Sequence, residues 1–242
     1  MSPTSIADVL RALTREPGRP RLTWYGPGGE RVELSGAVLE NWVNKTANLL
    51  VEEFDIGPGA RVQLDLPPHW RTVVWAFAVW RVGGCVELAG GQDPVEVIVT
   101  DNASSHRHAP VVAVALPALA RAYGPNLPPG AIDAAAAVMT YGDALGYVPP
   151  LDLQAPAVDT TAHVTHAELV GWSQDGKSAS SDSRVVVRSR DNALEQALRE
   201  TLAVLASGGS VVLLAPPVAD ELRADAVRQD RLVTTERVTA IW

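Results

Sequence analysis

The fold is decided by one stretch of the chain, residues 184–214, with the sequence RVVVRSRDNALEQALRETLAVLASGGSVVLL. It begins with the β-branched run at 185–187 and ends with the apolar run at 211–214. Between them, over residues 191–206, apolar side chains recur every three to four positions, and a Gly-Gly pair follows. A strand, an amphipathic helix and a second strand in this order predict a βαβ unit with two parallel strands.

Strands and helices also alternate in the rest of the chain. Ser35 precedes an apolar stripe that predicts one helix over 36–54, which the Gly-Pro-Gly sequence at 57–59 ends. The other predicted elements are helices over 5–14 and 70–82, strands over 61–66, 85–88, 95–100 and 111–114, and a hairpin of 22–25 with 31–34. This alternation predicts the α/β class, with one or more largely parallel sheets flanked by helices.

Some stretches allow both a structural and a functional interpretation. The glycines between the two hairpin strands tolerate positive φ, so they predict a turn rather than a phosphate loop. Trp75 and Trp80 lie in a strongly apolar helix and are predicted to belong to the core. Residues 124–160 are rich in Pro, Gly and Ala, with one helix expected near 131–139. We therefore expect a single domain over 1–242 with a connector around 124–160.

The composition bounds the classes of function. With 242 residues and 47% apolar side chains, the chain can bury a substantial core. Its formal charge of −8 opposes binding to nucleic acid, which requires clustered Lys and Arg. The sequence contains no run of eighteen apolar residues, so no membrane span is predicted.

The amino-terminal residues and the single cysteine indicate the compartment. The first thirty residues lack the apolar block of a secretory signal, so a cytoplasmic location is expected. Cys85 is the only cysteine and has apolar neighbours, which predicts a buried, reduced thiol.

Four local motifs, in order along the chain, resemble the large N-terminal domain of adenylate-forming enzymes, the AMP-binding superfamily that includes acyl-CoA synthetases. The similar segments are 32–48 after the hairpin, Gly-Pro-Gly-Ala-Arg-Val at 57–62, Ala-Val-Trp-Arg-Val-Gly-Gly at 78–84, and 164–169 together with 202–213. The landmarks Leu-Pro-Pro-Gly at 127–130 and Gly-Asp at 142–143 resemble those of a small group of shortened actinobacterial proteins. The resemblance covers almost the whole chain and implies the fold of that domain.

The chain departs from this family at its phosphate-binding loop. In the family, a Ser/Thr/Gly-rich loop ending in Pro-Lys-Gly holds the ATP phosphates with backbone N–H groups and hydroxyls. Residues 154–163 occupy this place here, and they contain neither glycine nor lysine. They also place Asp159 where a phosphate would approach, and we expect an unpaired carboxylate there to repel it. The later family segments, which supply the adenine-stacking aromatic, the magnesium Glu, the ribose Asp and the lid Lys, have no counterpart in the 242 residues.

We therefore expect no catalytic residue, no metal site and no cofactor. The candidate ligand-binding residues are those at the former phosphate-loop position, namely Asp159, Thr160, Thr161, His163, Thr165 and His166. A metal site formed by the two histidines and Asp159 is an alternative, although His163 and His166 beside a helix start more often have a capping role. The sequence Gly-Trp-Ser-Gln-Asp at 171–175 lacks the final glycine of a nucleophile elbow, which excludes a hydrolase signature.

The leading hypothesis is a non-catalytic protein that binds a protein partner or a small acyl-like ligand; homo-oligomers are also compatible with the sequence. The alternative is a residual acyl-adenylate-forming enzyme that works with a separate polypeptide.

Two further predictions are structural. Thr165 and Glu168 match a capping box at the start of a helix. Residues 238–242 are expected to form a docked strand, whose deletion should destabilise the chain by several kcal/mol or cause aggregation.

Overall fold

The fold is that of a computed structural model, and the structure describes residues 3–88, 94–160, 163–174, 176–190 and 193–242. The chain divides into two units. Unit 1 comprises Met1–Glu40, Pro67–Val73 and Val170–Trp242, and unit 2 comprises Asn41–Leu66 and Val74–Leu169.

The described residues contain twelve strands and eight α-helices. The strands are β1 (Pro20–Tyr25), β2 (Arg31–Ser35), β3 (Arg61–Asp65), β4 (Cys85–Glu87), β5 (Val97–Thr100), β6 (Val111–Ala113), β7 (Ile132–Asp133), β8 (Pro156–Asp159), β9 (His163–Thr165), β10 (Arg184–Arg188), β11 (Ser210–Leu214) and β12 (Ala240–Ile241). The helices are α1 (Ile6–Leu13), α2 (Gly36–Phe54), α3 (Trp70–Arg81), α4 (Ala134–Ala137), α5 (Leu169–Ser173), α6 (Leu194–Ala206), α7 (Pro216–Ala224) and α8 (Ala226–Thr235).

Unit 1 contains a five-stranded sheet in the order β12-β10-β11-β1-β2. The predicted βαβ unit is confirmed, since β10 and β11 are parallel and α6 connects them. The predicted hairpin is also confirmed, because β1 and β2 are antiparallel with Trp24 opposite Val32. Leu22 of β1 lies opposite Val211 of β11 in a parallel pair.

Unit 2 contains a seven-stranded sheet in the order β7-β6-β5-β3-β4-β8-β9. All of its neighbouring pairs are parallel except β8 with β9, which are antiparallel. The predicted fold class, largely parallel sheets flanked by helices, is therefore confirmed. Strand β8 lies between β4 and β9, so it has a hydrogen-bonded neighbour on each side.

Polar residues of α2 hold a distant segment of unit 2. The amide of Asn48 donates hydrogen bonds to Gly142 O and Ala144 O and accepts one from Gly146 N at 2.9 Å. Asn44 and Lys45 also donate to carbonyl groups of this segment. The asparagines of the family-like motif therefore have a structural role here, because they satisfy backbone groups of a loop that lacks a regular partner.

The predictions about burial agree with the structure. Trp75 and Trp80 are 3% and 2% exposed, as expected for core residues. Trp80 also donates its indole N–H to Ala157 O at 2.8 Å, which satisfies its polar edge. Cys85 is fully buried, as predicted.

Some predicted boundaries were wrong. The helix expected near 131–139 is instead β7, the short α4 and a 3-10 turn over Val138–Thr140, because Asp133 caps α4 only after the strand ends. Thr165 does not open a helix: it ends β9, and α5 begins at Leu169. Both Thr165 N and Oγ1 nevertheless bond Glu168 Oε2, so the predicted contact between these two residues exists.

The carboxyl-terminal strand was predicted and is present. β12 pairs in parallel with β10, Trp242 N donates to Val186 O at 2.8 Å, and Arg188 N donates to Trp242 O at 3.3 Å. Every described helix is too short or too polar to cross a bilayer. The predicted connector around 124–160 lies within unit 2, and the single domain over 1–242 stays a prediction.

Candidate functional site

The candidate site lies in unit 2, where β4 and β8 end side by side. Glu87 is the last residue of β4, Asp159 is the last residue of β8, and the two are opposite each other in the parallel register. The carboxyl ends of parallel strands are the usual place for ligands in α/β proteins. This edge is therefore the first place to test the sequence predictions.

Arg61, the first residue of β3, joins the two carboxylates. Its Nη2 donates to Glu87 Oε2 at 2.6 Å and also to Asp159 Oδ2. Both acidic residues are buried, with 3% and 8% of their surface exposed. We call Arg61, Glu87 and Asp159 the Arg61 cluster.

The electrostatics of the Arg61 cluster follow from burial and charge. Burial disfavours the charged guanidinium, but the hydrogen bond and the charge of Asp159 outweigh this and raise the pKa of Arg61. Cys85 lies opposite Arg61 in the register, and burial is the main reason that its pKa rises to about 12. The thiol is thus neither exposed nor ionised near neutral pH, as expected for a structural cysteine.

The structure brings some of the predicted site residues together. His163 Nδ1 is 3.0 Å from Asp159 Oδ1, and the imidazole is 83% exposed. Thr160 follows Asp159 in a bend and is half-buried. Thr161 lies outside the described residues.

The other two predicted residues do not join this group. Thr165 bonds Glu168, as described above. His166 is 3% exposed, and burial lowers its pKa. Hydrogen bonds with the backbone of Gly83 and Gly84 act in the opposite direction but are the smaller effect. His166 is therefore a core residue near the end of α3, and it does not share the site with Asp159 and His163.

Two expectations about residues 154–163 need correction. Asp159 is not an unpaired carboxylate, because Arg61 and His163 both contact it. The segment is also not an open loop, because Pro156–Asp159 form β8 and His163–Thr165 form β9. Only residues 160–162 separate the two strands.

The backbone of β8 is arranged differently from that of a phosphate-binding loop. Such loops expose consecutive backbone N–H groups toward one anion. Strand β8 instead pairs on both edges, so its backbone is used in the sheet. The guanidinium of Arg61 at this edge is held by two carboxylates.

The structure describes no metal centre: within the described ranges, no group of three or more His, Cys, Asp or Glu side chains is arranged to hold a metal ion. The alternative set of Asp159, His163 and His166 is not brought together.

Arg61 and Glu87 are members of the site that the sequence reasoning missed. Glu87 carried a signal, since it is a charged residue within the otherwise apolar stretch at 85–88. Arg61 carries no comparable signal in the sequence, where it is one residue of the family-like motif at 57–62. Their pairing with Asp159 depends on the strand order and register, which the sequence does not display.

A second ionic cluster lies in unit 1, around Glu236 at the end of α8. Its carboxylate accepts hydrogen bonds from Tyr25 Oη at 2.6 Å, from Arg31 Nε at 2.9 Å and from Arg184 Nη2. Burial alone would raise the pKa of Glu236, but these hydrogen bonds hold it at about 2. We call these four residues the Glu236 network. The network connects the segment after α8 to β1, β2 and β10, so its role is to fix this segment against the sheet rather than to bind a ligand.

Comparisons with known proteins identify relatives of the chain and of its fold. No protein-family model matches the chain. The chain is 30% identical over 250 residues to a "TIGR03089 family protein" from Mycobacterium tuberculosis, and the match covers 99% of both chains.

Solved structures show the same fold at low sequence identity. An acyl-CoA synthetase from Brucella canis matches 96% of this chain with a TM-score of 0.73 and 18% identity. The N-terminal subdomain of NpsA from Klebsiella oxytoca, in complex with 3-hydroxybenzoyl-AMSN, matches 98% with a TM-score of 0.69 and 12% identity. A fatty acyl-adenylate ligase from L. pneumophila, in complex with acyl adenylate and pyrophosphate, matches 99% with a TM-score of 0.69 and 11% identity. The chain spans 46%, 59% and 44% of these three structures, about half their length.

Proposed function

Because the chain belongs to the TIGR03089 family and has the fold of the N-terminal domain of adenylate-forming enzymes, we propose that it is a non-catalytic member of that fold. It acts by binding a protein partner or a small acyl-like molecule. The proposal includes a cytoplasmic location and excludes nucleic acid as a partner, since the net charge is −8.

One observation supports this proposal above the others. At the place that resembles the phosphate loop, three residues connect two paired strands, and the buried Arg61 cluster closes the adjoining edge. Arg61 could contact the triphosphate of ATP only if its ion pairs with Glu87 and Asp159 were broken. Uncovering two buried carboxylates in this way costs several kcal/mol, which weak phosphate contacts do not offset.

The fold by itself does not decide between a binding protein and an enzyme. The acyl-CoA synthetase and the ligase are about twice as long as this chain, so their activities do not transfer to it. The alternative remains an acyl-adenylate former that is completed by a separate polypeptide.

Pyrophosphate exchange tests the proposal. The purified protein is incubated with ATP, Mg²⁺, labelled pyrophosphate and a panel of carboxylic acids, beside an active acyl-CoA synthetase as the positive control. We expect no carboxylate-dependent exchange. Calorimetry with ATP, AMP, CoA and fatty acids supplements the assay, and we expect no submillimolar binding of ATP with Mg²⁺.

Two histidine variants make a positive result interpretable. His163 contacts Asp159 at the candidate site, whereas His108 is exposed elsewhere in unit 2. Exchange that is lost in His163→Ala but retained in His108→Ala would refute the proposal and establish the alternative. Exchange that is equal in all three proteins would instead indicate a contaminating enzyme.

A further inference from the structure

A groove in unit 1, distant in sequence from the Arg61 cluster, has an unusual set of side chains. Its volume is about 770 Å³, within the range of roughly 300 to 1,000 Å³ that small-molecule sites have. It is lined by the polar face of α1, by the residues that follow α1, and by Gln174, Ala179 and Ser181. The carboxyl end of α6 closes the groove.

The polar face of α1 results from its sequence. Ile6, Val9, Leu10 and Leu13 are buried, so Asp8 and Arg11 face the other way and line the groove. Asp8 is fully used as an acceptor, because Thr4, Ser5 and Arg11 all donate to it. Its carboxylate is therefore neutralised locally.

A buried arginine lies beneath the groove. The side chain of Arg21 is only 2% exposed, and it donates to Gly208 O at 2.5 Å and to Glu16 Oε2 at 3.1 Å. Arg21 thus offsets the negative end of the α6 dipole. Glu16 also accepts from Arg19 at 3.0 Å, so this second carboxylate of the groove is neutralised too.

Three exposed side chains of the groove can still donate to a ligand. Within the part of the chain that the structure describes, Arg15, the side-chain amide of Gln174 and the hydroxyl of Ser181 make no hydrogen bond or ion pair, and all three line the same groove. All three are exposed side chains. A cation and two neutral donors that line the same groove are a combination that can recognise an anion.

We propose that this groove binds a small organic carboxylate. The guanidinium of Arg15 binds the carboxylate in a bidentate manner, and Gln174 and Ser181 donate further hydrogen bonds to the ligand. Asp8 and Glu16 pair with arginines of the groove, so only a small positive charge remains there. A small positive charge suits a ligand with one or two carboxylates. Polyphosphates carry more negative charge than this groove can compensate, since Asp8 and Glu16 also line it.

The inference goes beyond the proposed function and concerns unit 1, so it stands or falls separately from the exchange assay. The probes are acetate, succinate and citrate, titrated by calorimetry into the full chain at constant ionic strength. The variant Arg15→Gln removes the free cation. Arg121→Gln is the matched control, because Arg121 is also exposed and has no ion-pair partner among the described residues, but it lies in unit 2.

We expect at least one carboxylate to bind the wild type, and Arg15→Gln to weaken that binding by about tenfold to a hundredfold, the effect of losing a charge-assisted hydrogen bond. Arg15→Lys should have an intermediate effect, and Arg121→Gln should have none. Failure of all three carboxylates to bind, or equal binding by the wild type and Arg15→Gln, overturns the site. Inorganic phosphate that binds as tightly as succinate overturns the assignment to carboxylates.

Discussion

The Arg61 cluster and the Glu236 network use the same chemical groups in opposite proportions. In unit 2, one guanidinium holds two carboxylates, Glu87 and Asp159. In unit 1, one carboxylate is held by two guanidinium groups and the hydroxyl of Tyr25. Both acidic centres are almost fully buried.

Their positions explain why they have different consequences. Glu87 and Asp159 of the Arg61 cluster lie at the carboxyl ends of two parallel strands, the edge of a sheet where α/β proteins usually bind ligands. The Glu236 network lies after a helix and joins three strands of one sheet, so its bonds fix a chain segment. The same kind of ion pair therefore lies at a sheet edge that is typical of ligand sites in one unit and fixes a chain segment in the other.

The largest effect is expected from breaking the Arg61 cluster. Arg61→Met removes the charge but keeps most of the side-chain volume, so two buried carboxylates lose their shared cation. We expect the free energy of unfolding at pH 7 to fall by about 3 to 5 kcal/mol. Urea denaturation followed by tryptophan fluorescence measures this change.

Two further variants sharpen this test. Arg121→Met, at an exposed position, should change the stability by less than about 0.5 kcal/mol. Adding Glu87→Gln and Asp159→Asn to Arg61→Met should recover much of the loss, because no buried charge then lacks a partner. A loss below about 1 kcal/mol in Arg61→Met would contradict the importance of the cluster.

A smaller effect is expected from removing residues 238–242, which follow the Glu236 network. The deletion eliminates the pairing of β12 with β10 and the contact between Lys177 and the ring of Trp242 at 5.2 Å. Ile241 is 37% exposed and Trp242 only half-buried, so we expect a loss of about 2 to 3 kcal/mol, at the lower end of the sequence-based expectation. Thermal unfolding and solubility are the measurements, and an unchanged melting temperature would show that the strand is not docked.

The smallest effect, and the one with a distinct pH dependence, is expected for Glu236→Gln. The pKa of Glu236 is about 2 in the folded chain against an ordinary value of 4.5, so the ionised form stabilises the fold above pH 4.5. We expect the variant to be less stable by about 2 kcal/mol at pH 7, a figure reduced because Arg31 is partly exposed to solvent.

The sign of the pH effect follows from the lowered pKa. As the pH falls from 4.5 toward 2, the wild type takes up the proton and loses this contribution, so its stability should approach that of Glu236→Gln. The matched control is Glu221→Gln, since Glu221 is 55% exposed and its one ion pair among the described residues is with Arg228 at 3.3 Å. A stability difference that does not change with pH would disprove the role of the Glu236 carboxylate.

Most of the fold was predictable because its elements carry strong periodic signals. The helix over 36–54 was predicted to the residue, and the βαβ unit was recognised from its apolar runs and glycines. Helices α7 and α8 were missed. Helix α7 begins with a Pro-Pro pair, which is allowed in the first turn of a helix, and α8 has no buried residue and hence no apolar stripe.

The candidate site was less predictable because it depends on contacts between distant positions. Asp159 was recognised from its place in a family-like segment, but its partner Arg61 lies 98 residues earlier. Only the strand order β3-β4-β8 brings them together. Strand β8 begins with a proline and is only four residues long, so it becomes a strand through its two neighbours rather than through its own sequence.

The pairing of β1 with β11 has a consequence for the order in which the chain folds during synthesis. Leu22 of β1 pairs with Val211 of β11, so the sheet of unit 1 cannot be completed until residue 211 has left the ribosome. All strands of unit 2 lie between residues 61 and 165 and are available earlier. At about 5 to 20 residues per second, roughly 10 to 40 seconds separate the emergence of Leu22 from that of its partner Val211. During this interval the apolar first strand has only its hairpin neighbour, and we expect unit 2 to be complete before unit 1 acquires its central strand pair.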